Sequence, residues 1–309
     1  MSERLSWERD GRLWPHREAS RFVEVAGLCW HVQRWGPMPV QAPEAPFATR
    51  PPVLLLIHGT GASSHSWRDL APRLAAHFHV VACDLPGHAF TAMPPAWQLS
   101  LPGMAQALGA LMAELRLAPA LVVGHSAGAA IGARMCLDGH IEPAALVSLG
   151  GAFLPLGGLA GQLFSPVAKL MAAAPFVPRF FAWRAGDDAL VRRLLDGTGS
   201  QLDDEGVALY AQLVRNPGHA AGALAMMANW DLVPMMQDLR RLKPTLALVA
   251  PTNDLTIPPD QARRVKALLP RATLIELPGL GHLAHEEQPD LVAELVLRVG
   301  RDQGLPEGL

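Results

Sequence analysis

Apolar and polar positions fall into blocks of two kinds along this chain. Val53-Leu54-Leu55-Leu56-Ile57 is an unbroken apolar run, the pattern of a strand buried on both faces. His79–Cys83, Ala120–Val123, Ala144–Leu149, Thr245–Ala250 and Thr273–Leu277 also read as strands. Between these runs, Ser66–His77, Leu101–Leu115, Ala127–Leu137, Asp260–Leu269 and Pro289–Arg301 carry helical patterns. Strands alternating with helices predict a mostly parallel central sheet flanked by helices. Near the start, Arg21–Arg34 reads as a hairpin turning at Ala26-Gly27, and the six prolines of 37–52 read as a loop.

The alternation stops between Ala152 and about Met235. That block is rich in Ala, Leu, Met, Phe and Trp with Pro and Gly breaks, and is too long for a loop. It predicts a helical cap inserted after the sixth strand. The chain then divides into core residues 1–152, a cap at 153–235 and core residues 236–309. Pro143–Ala168 is uncharged and long enough to span a bilayer, but Gly150, Gly151, Pro155, Gly157, Gly158 and Gly161 make it a poor continuous helix. The reading is a buried strand entering the cap, not a transmembrane segment. It leaves room for peripheral contact with a membrane or a very apolar ligand.

With half of its 309 residues apolar, the chain can bury a large core. Its net charge of -2 gives no general basic field, so nucleic acid is not an expected partner. Cys29, Cys83 and Cys136 are widely spaced and odd in number, which suits buried, reduced thiols and a cytoplasmic setting. Met1–Arg12 has no apolar stretch of the kind a signal peptide needs. No His/Cys/Asp cluster has metal-ligand spacing and no phosphate loop is present, so neither metal nor cofactor is expected.

Gly124-His125-Ser126-Ala127-Gly128 joins an apolar strand to a helix-forming run, which is the context a nucleophile elbow requires. A serine hydroxyl needs a base, and the base needs an orienting acid. Asp254 and His282 each follow an apolar strand, in the chain order Ser, acid, His. Ser126 is therefore the candidate nucleophile, His282 the base and Asp254 its orienter. His88 and His285 compete for the base only if that order is broken, and Asp84 reads as structural. For an oxyanion, the N–H of Ala127 is one candidate donor. The N–H of Thr60, in His58-Gly59-Thr60-Gly61, is the other, with Gly61 as its alternative. Candidate substrate contacts are His125, Gly59, Phe153 and Trp230.

Most of the cap's Phe, Met and Trp side chains, Phe153, Phe164, Met171, Phe176, Phe180, Phe181, Trp183, Met226, Met227 and Trp230, read as its own core. Their density over a catalytic pocket suits an apolar ligand. Arg179, Arg184, Arg192, Arg193 and Arg215 read as solvated, or as carboxylate partners at the pocket mouth.

Together, His58-Gly59-Thr60-Gly61, Asp84-Leu85-Pro86-Gly87-His88, the elbow, Asp254 and Gly281-His282 resemble the α/β-hydrolase superfamily over nearly the whole chain. Trp14–Val23, Gly61–Leu70 and Gly124–Ala130 further resemble its magnesium-chelatase accessory branch in bacteriochlorophyll synthesis, the BchO proteins. The resemblance implies the α/β-hydrolase fold and a role near magnesium insertion into protoporphyrin, with magnesium chelatase as a partner. One departure is Gly87-His88-Ala89, where the superfamily has Gly-His-Gly. Alanine disfavours positive φ, so this loop is expected to differ locally.

Two kinds of function fit. One is an esterase-like serine hydrolase with a small apolar or tetrapyrrole substrate, a general carboxylesterase being its plainer form. The other is a non-catalytic porphyrin-binding accessory protein of the chelatase.

Overall fold

The computed structural model describes residues 4–37, 51–155, 174, 176–184 and 188–305. Most of the proline-rich loop, Phe164, Met171, and Gly157, Gly158 and Gly161 at the cap entry lie outside these residues.

Eight strands form one sheet: β1 Ser20–Val25, β2 Leu28–Trp35, β3 Val53–Ile57, β4 His79–Cys83, β5 Pro119–His125, β6 Ala145–Leu149, β7 Thr245–Pro251 and β8 Thr273–Leu277. Their order is β1-β2-β4-β3-β5-β6-β7-β8. The β1–β2 and β2–β4 pairs are antiparallel, and every later pair is parallel. Ala26 and Gly27 both take positive φ (52° and 77°), which a two-residue hairpin turn needs to match strand twist.

The unbroken apolar run of β3 is buried on both faces. Leu55 and Ile57 of β3 pack with the helices Leu101–Glu114 and Ala127–Leu137. Leu54 and Leu56 face Trp67, Leu70 and Leu74, together with Val292 and Val296 of the helix Pro289–Asp302. The helix read over 66–77 is instead a 3-10 turn, Ser64–Trp67, and a short helix, Leu70–Leu74. Tertiary bonds compete with a continuous helix there: the Ser64 N–H goes to Asp84, and Ser66 is held by His285 and Glu286.

Among the described residues between β6 and β7 lie the helices Phe176–Arg184, Asp188–Asp196, Asp204–Val214, Pro217–Ala228 and Val233–Asp238. Asp203 caps the third through the Gly206 N–H (2.7 Å), and Asn216 caps the fourth through the His219 N–H (2.9 Å). Among the described residues no helix is long and apolar enough to cross a membrane. All three cysteines are free, but only Cys83 is buried; Cys29 and Cys136 are half-exposed.

Candidate active site

Because β3 to β8 run parallel, their carboxyl ends gather at one edge of the sheet, which is where open α/β sheets place their sites. At the end of β5, Ser126 takes φ 52° and ψ -119°, a conformation costly for a residue with a Cβ. The surroundings enforce it. A Cβ on Gly128 would sit 2.1 Å from the Ile57 carbonyl oxygen, and one on Gly124 would sit 2.5 Å from the Ala129 backbone. Both glycines let the helix Ala127–Leu137 press onto the sheet. The Ser126 N–H donates to the Leu149 carbonyl (2.9 Å), and its carbonyl accepts from Ala129 and Ala152 (both 3.1 Å).

Next to Leu149, Gly150 abuts the candidate acid and base. A Cβ there would lie 2.9 Å from Asp254 Oδ2 and 3.1 Å from His282 Nδ1. Those two groups are joined at 2.7 Å and both side chains are nearly inaccessible. A carboxylate only accepts, so Nδ1 carries the proton and Nε2 is left with a lone pair. Asp254 Oδ1 is held by the Thr256 and Ile257 N–H groups (2.8 and 2.7 Å). Among the described residues no hydrogen bond joins the Ser126 hydroxyl to the His282 ring; such bonds commonly tighten only when substrate is present.

Cap residues 198–200 touch the loops that carry both the candidate acid and the candidate base. The Thr198 carbonyl accepts the N–H groups of Leu255 and His282, each at 3.2 Å. Ser200 Oγ accepts from Leu283 N–H at 2.8 Å. Gly199 leaves no room for a side chain, since a Cβ would lie 1.9 Å from the Asn253 carbonyl oxygen.

An ionic cluster around the buried Arg68 and Glu286 anchors the same region. Arg68 donates to Glu286 Oε2 and Asp203 Oδ1, both at 2.9 Å, while Tyr210 and Ser66 donate to Glu286 Oε1 (2.7 and 2.5 Å). It ties the core, the cap helix Asp204–Val214 and the segment after His282 together. Burial raises the Glu286 carboxyl, against the lowering by Arg68 and its hydrogen bonds.

The competing histidines are engaged elsewhere. His285 bonds Ser66 Oγ (2.8 Å) and packs on Trp67 and His125; burial drives its pKa down to about 3. His88 is fully buried, with Nδ1 3.2 Å from the Pro86 carbonyl. Asp84 holds His31 and the N–H groups of Ser64 and Phe90, the structural role expected of it.

Thr60 and Gly61 are the central residues of a turn closed by Ala62 N–H to the Gly59 carbonyl (3.2 Å), with Gly61 at φ 78°. Gly59 lies against the elbow: a Cβ on it would stand 3.0 Å from Ser126 Cβ. Ala127 begins its helix, so its N–H has no intrahelical acceptor. Thr60 Oγ1 reaches Met226 Sδ at 3.5 Å. Of the other candidate contacts, His125 is buried with Nε2 3.0 Å from the His282 carbonyl, and Phe153 is wholly within the core. Trp230 is half-buried against that core.

His219 escaped sequence reasoning. Its Nδ1 accepts the Ala89 N–H (2.9 Å), so its Nε2 carries the proton and donates to the Gly61 carbonyl (3.0 Å). It pins the cap to two core loops, one of them beside the elbow. Its only signal was being a lone ionisable residue in Pro217–Ala228. Ala89 itself takes φ 38°, so the loop keeps a glycine-like positive φ instead of departing from it.

A family model described as the alpha/beta hydrolase family matches residues 54–295, and this chain belongs to that family. Within it, the chain is 35% identical over 284 residues to the magnesium-chelatase 30 kDa subunit of Rhodobacter capsulatus, across 92% of this chain and 95% of that protein. Among solved structures, an alpha/beta hydrolase fold protein from Burkholderia ambifaria superposes with a TM-score of 0.73 at 22% identity, covering 96% of this chain and 100% of that one. A thermophilic esterase from Thermogutta terrifontis gives 0.67 at 19% identity, covering 92% and 98%. Identities this low speak for the fold alone.

Proposed function

We propose that this protein is a serine hydrolase whose substrate is an ester of an apolar, carboxylate-edged molecule of the tetrapyrrole class. The observation that carries the proposal is the buried His282–Asp254 pair beside a serine held at positive φ. In this reading His282 Nε2 takes the Ser126 hydroxyl proton as Oγ bonds the ester carbonyl carbon. The oxyanion is met by the N–H groups of Ala127 and Thr60, Gly61 being the alternative to Thr60. His282 passes the proton to the departing alcohol, and water then reverses the sequence to release the acid. Asp254 accepts from Nδ1 and so orients the imidazole.

The substrate class and a role near magnesium chelation are supported by the relative named as a magnesium-chelatase subunit, and the three free cysteines suit a cytoplasmic setting. That name also favours a second reading, in which the cap holds a porphyrin for the chelatase and Ser126 is idle. A general carboxylesterase is the plainer form of the first. Protoporphyrin, its magnesium form and their methyl esters, with a short-chain ester as comparison, separate them. Turnover of tetrapyrrole esters that Ser126→Ala abolishes supports the first reading. Tight porphyrin binding without turnover supports the second. Efficient short-ester turnover with no tetrapyrrole binding leaves a general esterase.

A further inference from the structure

The helix Phe176–Arg184 turns three of its aromatic side chains away from the protein. Phe176, Phe180 and Trp183 are 70%, 56% and 71% exposed, whereas Pro178 and Ala182 are buried. Spacings of four and three residues put all three rings on one face, and the rings of Phe180 and Trp183 lie 5.9 Å apart. This reverses the sequence expectation that these residues form the cap's core. The small and cyclic side chains of Ala182 and Pro178 lie on the buried side, and the rings of Phe176, Phe180 and Trp183 are left outside.

Contiguous exposed rings on a folded protein mark a contact surface. The chemistry of this one is specific. The helix has no acidic residue, and Arg179 and Arg184 are exposed among the rings. Phe and Trp beside Arg is the composition of a helix lying in the headgroup layer of a bilayer, rings toward the acyl chains and guanidinium groups on the phosphates. Area argues against a second protein. A fully covered aromatic ring contributes roughly 150–250 Å², so three partly exposed rings fall short of the ~800 Å² each partner needs in a stable protein interface.

We infer that the Phe176–Phe180–Trp183 face, with Arg179 and Arg184, docks this protein on an anionic lipid surface. The helix lies in the same cap as Pro217–Ala228, whose Met226 touches Thr60 beside the elbow. The inference is independent of whether Ser126 is catalytic.

Flotation with vesicles of phosphatidylcholine alone, and of phosphatidylcholine mixed with phosphatidylglycerol, tests it. Wild-type protein should float with the mixed vesicles and be released by salt. The triple variant Phe176→Ser/Phe180→Ser/Trp183→Ser should lose binding by about 10-fold or more. Arg179→Gln/Arg184→Gln should bind mixed vesicles no better than neutral ones. Circular dichroism monitors folding; if the triple variant does not fold, Trp183→Ser alone serves for the same comparison. Absence of wild-type binding to either vesicle overturns the inference. So does unchanged binding by the folded ring variant, or self-association in solution that this variant abolishes.

Discussion

The backbone N–H of His282 donates to the carbonyl of Thr198, so the loop carrying the proposed base hangs from the cap. The same carbonyl takes the Leu255 N–H, one residue beyond Asp254. Acid and base are thus registered against one cap turn, and anything that shifts that turn shifts both.

Ser200→Ala removes the acceptor for the Leu283 N–H in a buried setting. The expected loss is about 1–3 kcal/mol of stability, with slower covalent labelling of Ser126 by a fluorophosphonate. Urea titration and labelling rates measure the two effects. An unchanged labelling rate in the folded variant would mean that the cap turn does not position His282.

Asp254→Asn keeps an oxygen for the Thr256 and Ile257 N–H groups. It does not hold the tautomer in which His282 Nε2 accepts a proton. The fold should persist while hydrolysis falls on the order of 10⁴-fold, as in serine proteases. Steady-state rates on any accepted ester, with circular dichroism as control, decide it. A loss of under ~10-fold would demote Asp254 from orienter to scaffold.

His219 ties stability to acidity. Burial lowers its pKa to about 4, and a protonated ring cannot accept the Ala89 N–H. The folded value lies below the unfolded one, so the associated stability is present above pH ~6.5 and is lost as pH falls toward about 4. The slope is about 1.4 kcal/mol per pH unit for one group. His219→Gln should flatten the wild-type decline by up to that amount in urea titrations between those limits. Equal slopes in both proteins would contradict it.

Ala89→Gly should relieve a positive φ that alanine adopts at a cost of roughly 1–2 kcal/mol. Glycine's extra unfolded-state entropy returns about 0.5–1 kcal/mol. A net gain of up to about 1.5 kcal/mol in chemical denaturation is the expected outcome. A destabilised variant would show that the alanine methyl contributes packing that outweighs the strain.

Much of the architecture was legible in the chain. β3 and β4 start and stop where their apolar runs do, because a strand buried on both faces leaves no polar position to blur its limits. Ser126, Asp254 and His282 could be nominated as candidates for another reason: each follows a predicted strand, in the chain order a nucleophile elbow calls for. The long-range polar bonds were not. Arg68 and Glu286 lie 218 residues apart, and no local pattern couples them. The split of 66–77 follows from those bonds. The outward rings of Phe176–Arg184 were hidden differently: composition counts apolar residues but does not say which of them a helix turns inward.

The central proposal is that Ser126 is an activated nucleophile, and intact-protein mass spectrometry after fluorophosphonate treatment tests it most directly. The expected result is a single adduct that peptide mapping assigns to Ser126, absent in Ser126→Ala and strongly slowed in His282→Ala. No adduct on the folded wild-type protein, or an adduct on another residue, would contradict it.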